Sequence, residues 1–164
     1  MRAHHWLSLL AVALTVSCGT STPPVNKETE EQSIRGLEMQ WSVAANKKDL
    51  NAVIALYSPQ GTAAWPDAPA VHGPEAIRAA WDEIFKTPGL VLRFIPERID
   101  VADAGDIAVD FGSVESEFDG PNGHVQDVAK YLVIWQKRNG EWKVLYDSFN
   151  SNKPAAPAAP PERS

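Results

Sequence analysis

Near residue 89 the spacing of apolar residues along this chain changes, and that change limits the fold more than any other feature. Before it, apolar side chains recur every three to four residues; after it they alternate, and short turns divide the runs. Ile34, Leu37, Trp41 and Ala44 or Ala45 outline a first amphipathic helix, with Glu30 and Glu31 at its positive end. Asp49 reads as the cap of a second, short helix carrying Leu50, Val53, Ile54 and Tyr57 and ended by Ser58-Pro59. Gly73-Pro74-Glu75 opens a third, which runs through Ile77, Trp81, Ile84 and Phe85 to Pro88-Gly89. Strands are predicted over 90–101, 107–118, 124–137 and 142–150, parted by hairpin turns at Ala104-Gly105-Asp106, Asp119 to Gly123 and Asn139-Gly140. Helices followed by strands predict an α+β domain, with three N-terminal helices covering one face of a curved antiparallel sheet.

The ends of the chain read differently from this middle. Arg2 precedes an apolar run from Trp6 to Val16, then Ser17 and the only cysteine, Cys18. The run is shorter than the roughly 20 residues a spanning helix needs, and it has the pattern of an export signal over residues 1–17. Leu14-Thr15-Val16-Ser17-Cys18 resembles the bacterial lipobox, which implies a lipidated Cys18 and a membrane-anchored lipoprotein of the cell envelope. Ordinary secretion, or a soluble periplasmic protein, is the alternative. Residues 18–27 then form a tether, 28–151 the folded domain, and 152–164 a Pro/Ala-rich tail without the apolar residues needed to pack.

Charge excludes one class of function. The chain has 15 Lys and Arg against 21 Asp and Glu, a net charge of -6, and no basic cluster to track phosphates, so no nucleic acid is expected as partner. His72 and His124, with Asp127 near the second, are too far apart in sequence to make a ligand motif, and no metal is expected. There is no phosphate loop and no Gly-flanked Ser elbow, and no cofactor is expected.

Three stretches carry a family resemblance: Leu56-Tyr57-Ser58-Pro59, His72-Gly73-Pro74-Glu75-Ala76-Ile77, and Tyr131 to Lys137 followed by Gly140-Glu141-Trp142-Lys143-Val144 and Asp147. With the order of elements, they resemble the SnoaL-like and ketosteroid-isomerase-like branch of the NTF2-like superfamily. The resemblance implies a conical, cystatin-like half-barrel with a pocket between helices and sheet, commonly in a homodimer. It also implies where steroid isomerases hold their general-base Asp and oxyanion-stabilising Tyr, and those places fall on Trp65 and Trp41. An indole can donate a hydrogen bond but cannot act as a base.

Other residues must therefore supply any chemistry. Asp110 interrupts an apolar strand, and Asp147 lies between Leu145 and Phe149 on one strand face, so both are expected inside the cone. Asp67, two residues beyond Trp65, is a third catalytic candidate, against the reading of a solvated turn residue. Glu115 and Glu117 share a strand face as a possible acid pair or as solvent-facing charges; Lys130 reads as a pocket counter-ion or an edge lysine. Trp41, Tyr57, Trp65 and Trp81 with Asp110 and Asp147 are the expected ligand pocket, suited to a small apolar or aromatic molecule.

Three functions stay open at this level. The first is a small-molecule binding domain at the cell envelope. The second is an isomerase, cyclase or hydrolase acting on an apolar substrate. The third is a dimerisation or partner-association module, since Tyr131 to Trp135 are apolar on both strand faces.

Overall fold

The computed structural model describes residues 24–153. The signal, Cys18, most of the tether and the tail beyond Lys153 lie outside the described residues. The elements are α1 (Lys27–Asn46), α2 (Leu50–Ala55), β1 (Tyr57–Ala64), β2 (Val71–His72), α3 (Gly73–Phe85), β3 (Val91–Val101), β4 (Ile107–Gly120), β5 (Gly123–Arg138) and β6 (Glu141–Ser151). The fold is α+β, with three helices packed on a curved, unclosed sheet in the order β2-β1-β6-β5-β4-β3. Among the described residues no helix is long and apolar enough to cross a membrane.

Local chemistry sets the helix ends. The Asn26 side chain accepts from the Thr29 N–H at 3.2 Å, so α1 starts at Lys27, at the end of the expected tether. Asp49 caps α2 by accepting from the Ala52 N–H at 3.0 Å. Tyr57, expected on α2, is instead the first residue of β1. Pro59 pushes Ser58 toward extended backbone, and the chain then finds a partner in β6, with Tyr57 opposite Val144.

β3 to β6 form the expected antiparallel meander. β1 departs from it by running parallel to β6, its crossover being the intervening α3 and β3–β5, and the two-residue β2 covers its outer edge. At the opposite edge α1 takes up the free backbone of β3. Asn46 donates to the Leu92 carbonyl at 2.7 Å and accepts from the Leu92 N–H at 2.8 Å. Ser42 Oγ accepts from the Phe94 N–H at 3.0 Å, and Arg35 donates to the Pro96 carbonyl at 2.8 Å. These side chains satisfy an edge that would otherwise pair with another chain. They also fix α1 so that Ile34, Glu38, Trp41 and Ala45 are buried.

Two bulges decide which side chains face inward. In β3 the register shifts between Pro96 and Arg98, so Leu92 and Phe94 pack inward before it, and Ile99 and Val101 after it. In β6, Val144 pairs with Trp135 but Tyr146 pairs with Ile134, which leaves Leu145 as the extra residue. The face expected to run from Leu145 to Phe149 therefore begins at Asp147, while Trp142 and Val144 are the buried residues before the bulge. A bulge of this kind re-aims a side chain, and here it turns Asp147 into the interior.

Candidate functional site

Helices and sheet enclose a cavity of 380 Å³. Its wall is mainly apolar: Trp41 from α1, Trp81 from α3, Trp65 from the turn after β1, Phe94 from β3 and Phe149 from β6. The rings meet edge to face more often than they stack. Trp65 and Trp81 lie 5.4 Å apart at 80°, and Trp41 meets Trp135 at 6.2 Å and 85°. Among the described residues no Lys, Arg or His lines the cavity; its ionisable carboxyls are Glu38, Asp127 and Asp147. Asp127 is held by Lys153 at 2.8 Å, which leaves Glu38 and Asp147 as the carboxyls without a basic partner.

Asp147 is 7% exposed and sits at the end of an ordered relay. The Trp81 indole N–H donates to the Tyr57 hydroxyl at 3.0 Å, and that hydroxyl donates to Asp147 Oδ2 at 2.6 Å. The Trp65 indole N–H reaches the same oxygen at 3.0 Å. Among the described residues no hydrogen bond reaches Oδ1, the oxygen left for the cavity. Burial raises the Asp147 pKa to about 6, against the pull of its bonds from Tyr57 and Trp65.

A second acid group lies deeper. Asp110 is fully buried and accepts from the Tyr131 hydroxyl at 3.2 Å. Gly112 makes room for that contact, because a Cβ there would stand 2.7 Å from the Tyr131 ring and would strike the Ile95 carbonyl. The Glu38 carboxyl, 1% exposed, comes within hydrogen-bonding reach of Asp110. With both groups ionised, Glu38 Oε1 and Asp110 Oδ2 have no partner, and one proton held between the carboxyls satisfies them. Burial first, then the charge of Asp110, drives the Glu38 pKa well above the usual carboxylate range. Burial also raises that of Asp110, opposed by Glu38, Trp135 and Tyr131. The Trp135 indole leans on Asp110 without forming a well-aligned hydrogen bond.

Of the residues expected in the pocket, Trp41, Trp65, Trp81 and Asp147 line the cavity. Tyr57 and Asp110 do not: they sit behind the wall, where Tyr57 fixes Asp147 and Asp110 backs Glu38. Asp67 is exposed in the turn at φ 61°, a left-handed backbone that Asp tolerates, and Pro66 rather than Asp67 reaches the cavity. Glu115 pairs with Arg93 and Glu117 with His124, both on the outer side of β4. Lys130 is turned outward to the Ser151 carbonyl and Asn152. His72 meets Thr62 at 3.0 Å and His124 meets Asp119 at 3.2 Å, and no metal-ligand cluster occurs among the described residues.

Glu38 is the residue that sequence reasoning missed. Its signal was present, since it stands four residues after Ile34 and three before Trp41, on the apolar stripe of α1. A carboxyl in that stripe must be paired or neutral.

The comparisons with known proteins agree with this architecture. The SnoaL-like domain pattern matches residues 39–145. No curated protein matches the chain. The structure is similar to that of the ketosteroid isomerase-like protein from Erwinia carotovora atroseptica SCRI1043, at 20% identity and TM-score 0.68 over 79% of this chain and 100% of that one. It is also similar to an NTF2-like protein with a cystatin-like fold from Novosphingobium aromaticivorans, at 17% identity and TM-score 0.68 over 79% and 86%. A third similar structure is the hexachlorocyclohexane dehydrochlorinase LinA-type3 from Novosphingobium barchaimii LL02, at 14% identity and TM-score 0.69 over 77% and 89%. At these identities the likeness concerns the fold.

Proposed function

The chain belongs to the SnoaL-like domain family, and on that premise we propose that it binds a small, largely apolar or aromatic molecule in its cone cavity. The observation that carries this reading is the 380 Å³ cavity itself, walled by three Trp and three Phe and bearing two carboxyls without basic partners. A space of that size lies within the ordinary range for small-molecule sites, roughly 300–1,000 Å³, and its few polar groups are placed to fix orientation. The LinA-type3 neighbour, which acts on hexachlorocyclohexane, is an example of this fold serving a small apolar ring. The test is a screen of steroids, aromatics, terpenoids and short acyl compounds for stabilisation of the Cys18→Ser chain.

Two further parts of the reading concern placement. The domain is held at the cell envelope through lipid on Cys18, for which the support is the lipobox-like sequence before it. Metabolic labelling with a radioactive fatty acid tests it, and a label that persists after Cys18→Ser counts against it. The domain pairs with a second copy through the outer sheet face, where Phe111, Leu132 and Tyr146 are each 42–50% exposed and neighbours across β4, β5 and β6. Leu132→Lys then gives a monomer by light scattering with the cavity intact.

One observation favours catalysis as a second reading. Asp147 has one oxygen pinned, the other open, and a pKa raised to about 6, which suits a general base near neutral pH. In that reading Asp147 takes a proton from the bound molecule and returns it at another atom. An Asp147→Asn variant that keeps full turnover of any substrate found in the screen removes it.

A further inference from the structure

The cavity combines two features that an uncharged apolar ligand uses poorly. Its carboxyls have no basic partner inside, and its aromatic walls stand at steep angles to one another. Asp147 Oδ1 is open, and the Glu38–Asp110 pair, with one proton between its carboxyls, keeps one negative charge although Glu38 is 1% exposed and Asp110 fully buried. The charge of Arg35 lowers the Asp110 pKa from a distance, but its guanidinium is bonded to Glu31 and the Pro96 carbonyl, and Lys153 is held by Asp127. Trp65 meets Trp81 at 80° and Phe149 at 40°, so the rings form sides of a box and present faces in different directions.

From this geometry we infer that the ligand is a lipophilic ammonium, held by Asp147 and Glu38 as counter-ions and by the faces of Trp65, Trp81 and Trp41. The inference rests on the reading that the cavity binds a small molecule and adds the charge of that molecule. A cation over an indole face is attracted by the ring quadrupole, and more strongly where water is excluded. The same cation supplies the positive charge that the Glu38–Asp110 pair and Asp147 lack. An anion meets two carboxyls without basic partners and no cation among the described lining residues. A neutral hydrocarbon fills the space but leaves Asp147 Oδ1 without a partner. A sugar or other polyol finds too little polar wall.

The test compares three benzyl probes that differ in charge on the Cys18→Ser chain by calorimetry, at about pH 8, where Asp147 is ionised. They are benzyltrimethylammonium, the neutral 2-methyl-1-phenylpropan-2-ol, and the phenylacetate anion. The expected result is ammonium binding at least about tenfold tighter than the alcohol, with phenylacetate weakest. Asp147→Asn then removes that preference by weakening ammonium binding more than alcohol binding, and Glu38→Gln provides the same comparison should the first variant not fold. Alcohol binding as tight as ammonium binding overturns the ammonium inference while the cavity reading stands. Absence of binding by all three probes overturns both.

Discussion

The Tyr57 hydroxyl donates to Asp147 Oδ2 at 2.6 Å across 90 residues of sequence, and this bond fixes which carboxylate oxygen faces the cavity. It exists because β1 and β6 are parallel neighbours and because the bulge at Leu145 turns Asp147 inward. The hydroxyl also accepts from Trp81, so the same group joins α3 to the sheet.

Tyr57→Phe is expected to cost about 1–3 kcal/mol of stability, because it leaves the Trp81 N–H and part of Asp147 buried without a partner. It also raises the Asp147 pKa further, since the Tyr57 bond is the largest of the effects that lower it. Denaturant unfolding measures the first effect, and a carboxyl titration followed by infrared absorption or NMR measures the second.

Acid should stabilise this domain through Asp147, the reverse of the usual carboxylate effect. Its folded pKa of about 6 lies above the ordinary 3.8, so the folded state holds the proton more tightly than the unfolded chain. The contribution is fully present below about pH 4 and is lost as pH rises through 6, amounting to roughly 3 kcal/mol. Glu38 and Asp110, also raised, act in the same direction. Melting temperature against pH for the parent and Asp147→Asn tests this: the variant's profile is flatter between pH 4 and 7, and the variant gains stability relative to the parent toward pH 7.

Gly112→Ala should destabilise by about 1–3 kcal/mol, because the new methyl meets the Tyr131 ring and the Ile95 backbone carbonyl. Adding Tyr131→Leu relieves the side-chain clash but not the backbone one, so rescue is partial. Full rescue in a thermal melt would mean that β3 and β4 are not held as closely as described.

Much of the fold was legible because its signals are local. Asp49 as a cap, Pro74 at the start of α3 and the Asn139-Gly140 turn each act over a few residues, and the strand alternation follows from them. The parallel β1–β6 pair was not legible, because the partners are far apart in sequence and the short segment around Tyr57 continues a helical spacing. Strand parity could place Asp110 inside the cone, and Asp147 only when counted from Phe149, beyond the bulge; parity also cannot tell the cavity wall from the layer behind it. That distinction depends on Glu38, which covers Asp110 from α1. The bulge at Leu145 is likewise invisible to period counting, and it decides the orientation of Asp147.

The central claim is that the space between α1, α3 and the sheet is a ligand site, and it is tested most directly by filling that space. Ala129 is buried and lines the cavity, so Ala129→Phe should occupy it from β5. Thermal melts of the Cys18→Ser chain, with and without Ala129→Phe, are compared across the compound panel. The account predicts that at least one apolar or aromatic compound stabilises the parent by about 2.7 kcal/mol at a hundredfold excess over its Kd, and that the filled variant does not respond. A parent that melts cooperatively and answers to no compound, or a filled variant that answers equally, would contradict it.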